Sequence, residues 1–157
     1  MKKIELIWRH LLNETLESHQ VQFQQQALAR QFHLSSSTVN LALRPLRQLG
    51  AVHVGGRGFE ITDAEKILYH WANHRRLEPD IRLKLHINLP ILEIEGRLPD
   101  HSFPTAYTAV RERFGEPPAD YSAVYVYHPH HQDVAARFSG EALPGPANLF
   151  NLAPDPF

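Results

Sequence analysis

The 157-residue chain contains no cysteine, which excludes disulfides, a thiolate nucleophile and a thiolate metal site. No apolar run reaches the roughly 18 residues that a spanning helix needs. The Gly-x-x-x-x-Gly-Lys-Ser/Thr phosphate loop and the Gly-x-Ser-x-Gly nucleophile elbow are both missing, so catalysis is not expected. The basic start Met1-Lys2-Lys3 leads into a stretch broken by Glu5, Arg9, His10 and Asn13, which does not read as a secretory signal. A cytoplasmic protein is therefore expected.

Acidic side chains are also missing over one long interval. None occurs in the 42 residues between Glu17 and Glu60, while Arg30, Arg44, Arg47 and Arg57 lie inside it. The formal net charge is only −1, but it is unevenly divided. Residues 1–75 hold 9 Lys+Arg against 6 Asp+Glu, and residues 76–157 hold 7 against 11. A window without carboxylates can approach phosphates without repulsion, and the asymmetry suggests two modules, residues 1–76 and 77–157.

Residues 3–18 place Ile4, Ile7, Trp8, Leu11 and Leu12 at helical spacing. Residues 18–23 read as a linker or a short strand, and residues 24–32 as a second helix. Ser35 or Ser36 can cap a third helix, because a serine hydroxyl accepts from a free N–H of the first turn. Pro45 should bend or break that helix near Arg44, and Gly50 should end it. Two short β-like runs, 51–54 and 59–62, flank Gly55-Gly56-Arg57-Gly58, whose glycines permit a tight hairpin. Asp63 can cap a fourth helix over residues 64–75.

The pattern of residues 25–43 is narrower than that of any packed helix pair. Ala29 supplies the small residue where the second helix crosses. His33 stands where a left-handed turn residue is needed, a position that glycine usually fills. Leu28, Phe32, Leu34, Val39 and Ala42 fill the apolar positions between the helices. Followed by a strand, a Gly-rich turn with an arginine and a second strand, residues 4–75 resemble a winged helix-turn-helix domain.

With the strands and helix read in the second half, the expected fold is α+β, an N-terminal winged helix-turn-helix followed by a small α/β module. The resemblance implies a double-stranded DNA partner. The recognition helix, about 36–49, would present Ser36, Ser37, Asn40 and Arg44 to the major groove, with Thr38 reaching a phosphate and Arg57 at the tip of the wing, residues 51–62. The side-chain chemistry suits this, since Asn pairs with adenine, Arg with guanine, and Arg with a narrow minor groove. Arg47 reads as a solvated or structural residue. Specific sites are generally read by symmetric dimers, so a homodimer is expected. The first helix, the fourth helix around Trp71 or the second module would supply its interface. The alternatives are a protein-interaction adaptor whose winged helix touches no DNA, and a metal- or effector-sensing regulator.

The second half alternates Ile81, Leu83, Leu85 and Ile87 with Arg82, Lys84 and His86, which predicts a strand. Ile91–Ile94 reads as another strand, with Glu93 and Glu95 on one face. A short helix is expected from Phe103 to about Phe114, broken by Glu116-Pro117-Pro118. Residues 124–127 read as a strand and 134–138 as a further one. In the tail, which carries Pro144, Pro146, Pro154 and Pro156, Leu149, Phe150 and Leu152 read as an edge segment. The stretches "FPTAYTAVRERFGEPPADYSAVYVYHP" and "PANLFNLAPDPF" resemble the C-terminal region of antitoxin-type regulators of abortive-infection toxin–antitoxin systems. This implies an autoregulatory repressor with a possible protein partner.

Eleven histidines raise the question of metal. His128, His130, His131 and Asp133 offer four metal-binding side chains in six residues, with His101 and His86 as further recruits. Their position just after a strand favours a plain surface loop, and no metal or cofactor is expected. His70 and His74 read as a solvated helix face. Tyr107, Tyr121, Tyr125 and Tyr127 read as core or as the lining of an effector pocket.

Overall fold

A computed structural model describes residues 2–117 and 119–154. Pro118, expected to help break the preceding helix, and Pro156 of the tail lie outside the described residues. The chain is mixed α+β and divides into two compact units, Met1–Arg76 and Leu77–Phe157. No helix among the described residues is long and apolar enough to cross a membrane.

The first unit runs α1 (Lys3–Glu17), β1 (Gln22–Phe23), α2 (Gln25–Gln31), α3 (Ser36–Gln48), β2 (Val52–Gly55), β3 (Gly58–Ile61) and α4 (Ala64–His74). Its apolar stripes meet in one core of Ile7, Trp8, Leu11, Leu28, Val39, Ala42, Leu43, Leu46, Phe59, Ile61 and Ile67, among others. Two polar ties cross that core. The Trp8 indole donates to the Ala42 carbonyl at 2.8 Å, and Arg75 Nη1 meets the buried Glu5 carboxylate at 2.9 Å. Asp63 caps α4 by accepting from the Lys66 N–H at 3.0 Å, and this bond is the main reason its carboxyl lies below the usual range.

Two expectations for this unit are corrected. Of the bend or break expected at Pro45, the break does not occur: α3 runs without interruption from Ser36 to Gln48. The hydrogen bond that proline omits would have gone to the Leu41 carbonyl, and Leu41 lies on the water side at 58% exposure, where solvent can take its place. The face of α4 bearing His70 and His74 is not simply solvated. The half-buried His70 ring packs edge-on against Trp8 at 4.9 Å, with His74 at 4.1 Å from it.

The second unit opens with a 3-10 turn (Glu78–Asp80) and continues with β4 (Ile81–Ile87), α5 (Ile91–Gly96), β5 (Phe103–Thr105), α6 (Ala106–Phe114), β6 (Val124–Tyr127), α7 (His131–Arg137), β7 (Ala142–Leu143) and β8 (Leu149–Leu152). Its strands form one sheet in the order β5-β6-β8-β4-β7, with β6 and β8 parallel and the other pairs antiparallel. Ile87, Val124, Val126 and Leu149 pack against Ile94, Val134 and Phe138 to form its core.

Four readings of this half are corrected. Ile91–Ile94 is helical: the Pro90 carbonyl accepts from the Glu93 and Ile94 amides, and Ile91, Ile94 and Leu98 follow at helical spacing. Residues 134–138 belong to a helix and its end, because Val134 and Phe138, four apart, both reach the core. Phe103–Thr105 is a strand, and α6 begins only at Ala106. The segment Leu149–Leu152 is the central strand rather than an edge, since it pairs on both sides.

The first unit should be sensitive to acid. Burial, then His74, holds His70 below its ordinary 6.5; burial likewise lowers His10, against the pull of Glu14. Folding therefore favours the neutral rings. Their contribution is complete above pH 6.5 and is lost as pH falls through the lower folded values. Both tryptophans, Trp8 and Trp71, belong to this unit, so tryptophan fluorescence excited selectively reports on it. The urea midpoint should fall when the pH is lowered through this range, and His70→Gln should lessen the fall.

Candidate nucleic-acid interface

Local chemistry sets the angle between α2 and α3. After α2, His33 takes φ 51°, in the left-handed region, and the Leu34 amide returns to the Ala29 carbonyl at 2.8 Å. Ala29 is buried, so the helices approach closely where a larger side chain would hold them apart. Ser35 then starts α3, its hydroxyl accepting from the Thr38 N–H at 3.2 Å. The inner face of α3, Val39, Ala42, Leu43 and Leu46, is fully buried.

The opposite face is accessible. Ser36, Ser37, Asn40 and Arg44 are all exposed there. Among the described residues no ion pair or side-chain hydrogen bond engages Arg44 or Arg57. Asn40 is held rather than free: Arg47 Nη2 donates to its Oδ1 at 2.8 Å, two turns along the helix. Arg47 is thus a positioning partner for Asn40. The Thr38 hydroxyl lies 2.8 Å from that of Ser35, beside the cap. Ser37 shares the same cluster at 2.8 Å from Ser35.

Two residues were missed by reading α3 as an amphipathic helix. Leu41 is 58% exposed and Gln48 is exposed, both on the side of Asn40 and Arg44. The signal was available, because Leu41 falls about half a turn away from the Val39–Leu43–Leu46 stripe. An exposed leucine on this face can contact a thymine methyl, and a glutamine can pair with adenine.

The hairpin is closed by the Gly55–Gly58 pair, with Gly56 and Arg57 as its two loop residues and Arg57 exposed at the tip. β1 pairs with β3, aligning Phe23 with Phe59, whose rings stack at 5.7 Å. This ties the hairpin to the segment between α1 and α2. Of the hairpin glycines Gly58 is the constrained one: at φ 156°, a Cβ there would stand 2.3 Å from the Phe23 carbonyl oxygen. Beside the hairpin lies an open groove of about 830 Å³, lined by His10, Glu14, Gln31, His53, Arg57 and Glu60 among others.

The other candidates separate. His128 is buried, its Nε2 donating to the Asp100 carbonyl at 3.2 Å, while its Nδ1 lies 3.1 Å from the His130 amide. His86 bonds the Pro146 carbonyl at 2.8 Å. Among the described residues no three of His, Asp or Glu converge on a point that could hold a metal ion. Tyr107 stacks on Tyr121 at 5.5 Å, and Tyr121 donates to the buried Glu95, which also takes Thr108 and Arg111. Glu95 is therefore the centre of a helix–helix tie rather than one of two carboxylates on a strand. Tyr125 stacks instead on Phe150 at 4.6 Å, so the four tyrosines form two groups. Comparison with protein-family models, curated proteins and solved structures gives no match.

The constraint on the hairpin is testable by paired substitutions. Gly58→Ala must displace β1 and should lower the urea midpoint of tryptophan fluorescence. Gly56→Ala meets nothing within 4 Å and should leave the midpoint unchanged or raise stability by up to about 1 kcal/mol.

Proposed function

We propose that residues 1–76 form a winged helix-turn-helix unit that binds duplex DNA, in a transcriptional regulator acting as a homodimer. The observation that carries this reading is the outward face of α3. It presents Ser37, Asn40, Leu41 and Arg44 together, within an interval that holds no carboxylate from residue 18 to residue 59. α3 enters the major groove, where Asn40 pairs with adenine and Arg44 with guanine. Arg47 fixes the Asn40 amide before binding, so less side-chain entropy is lost on contact. Arg57 at the hairpin tip anchors the wing in the adjacent minor groove or on its backbone.

One such unit offers few base contacts, which is why a symmetric pair on a palindromic site is the expected assembly. The second unit then supplies the dimer contact or the regulatory input. A repressor acting at its own promoter is the simplest form of this activity.

Fluorescence anisotropy on duplexes from upstream of the gene tests the reading. A site-selective Kd of about 10⁻⁸ to 10⁻¹¹ M is expected, falling with a slope of roughly 0.9 per phosphate contact in a log–log salt titration. Arg44→Ala should cost about 1–3 kcal/mol on the preferred site. Arg57→Ala should weaken all duplexes more evenly. Absence of binding at low salt would point to the adaptor reading instead.

A further inference from the structure

The sheet of the second unit has two unlike faces. On one, Val124, Val126, Leu149 and Ile87 meet α5 and α7 through Ile94, Val134 and Phe138. α6 is bound to the same side, since Thr108 and Arg111 both donate to Glu95 of α5. The alternate strand positions point the other way. Cross-strand register aligns Tyr125 with Phe150, and Phe150 with Lys84, in one row across β6, β8 and β4. The Tyr125 and Phe150 rings stack face to face at 4.6 Å and 9°, so each covers one face of the other and keeps one outer face, and both residues are only partly buried. In the next row Tyr127 is aligned with Phe103, which is 67% exposed, while Leu152 beside it is buried.

The charge on this face opposes that of the unit. Residues 76–157 carry more acids than bases, yet none of the five strands contains Asp or Glu. On β4 Lys84 is aligned with Phe150 of the stacked pair, and Arg82, exposed like Lys84, lies two residues before it at a register shift between Ile81 and Leu83. Lys84 pairs with Glu78, whose side chain is 73% exposed. A pair so open to water is weak, and a phosphate can replace its carboxylate at little cost.

We propose that this sheet face binds single-stranded nucleic acid, with bases stacked on the Tyr125–Phe150 pair and the backbone held by Arg82 and Lys84. Aromatic rings and cations side by side on a sheet are the chemistry that recognises an unpaired strand, because its base faces are free to stack. A duplex hides those faces and should compete poorly. The inference uses a different surface from α3 and stands independently of the duplex-binding reading.

The test is anisotropy of the full chain with labelled oligouridine and oligothymidine of about 15 nucleotides, long enough to span such a site. Binding to either single strand is expected, and a preference between them would identify RNA or DNA as the ligand. An unlabelled duplex of equal length should displace it only weakly. The exposed double reversal Arg82→Glu and Lys84→Glu should weaken binding at least tenfold, and Tyr125→Leu about tenfold, with unchanged far-UV circular dichroism. Arg44→Ala should leave single-strand binding intact. The proposal is overturned by no single-strand binding at low salt, by binding that survives both changes, or by binding lost in Arg44→Ala.

Discussion

The orientation of α3 depends on what is fixed behind it. Four of its side chains, Val39, Ala42, Leu43 and Leu46, are wholly removed from water, and the Trp8 indole reaches from α1 to the Ala42 carbonyl. That carbonyl lies in mid-helix, so this bond adds a directional tie to the buried stripe that orients α3. The residues that face outward follow from that orientation. Asn40, Leu41 and Arg44 share a face because their neighbours in sequence share the core. The β1–β3 pairing does the same for the hairpin, since the close approach of Phe23 to Gly58 fixes where Arg57 is presented.

Much of this unit is legible in the sequence because its determinants are local. The Ser35 cap, the left-handed His33, the small Ala29 and the Gly-rich hairpin each act within a few residues. The Asn40–Arg47 contact was not foreseen, although both lie on one helix, because seven-residue spacing joins side chains only when their rotamers extend toward each other. That the helix passes Pro45 without a break was not legible for a related reason. Its effect depends on whether the carbonyl it abandons faces core or water, and only the packed structure decides that.

The second unit was less legible because its sheet is built from distant partners. β8 lies between β6 and β4 and is parallel to β6, and nothing local to Leu149–Leu152 separates that place from an edge. Short apolar runs such as Ile91–Ile94 fit a helix or a strand equally well until Pro90 and the core choose. The acid-free interval covers α2, α3, β2 and the hairpin turn and ends at Glu60 in β3, and the strands of the second sheet carry no acid. On the proposed reading both surfaces are adapted to phosphates, the first to a duplex and the second to an unpaired strand.

The most direct measurement of the central claim is selection from a pool of random duplexes by the wild-type protein and by Asn40→Ala. If the outward face of α3 reads bases, the wild type enriches a defined, two-fold symmetric sequence, and Asn40→Ala relaxes the choice at one position of each half-site while keeping the rest. Enrichment of no sequence, or a consensus unchanged by Asn40→Ala and by Arg44→Ala, would contradict the account.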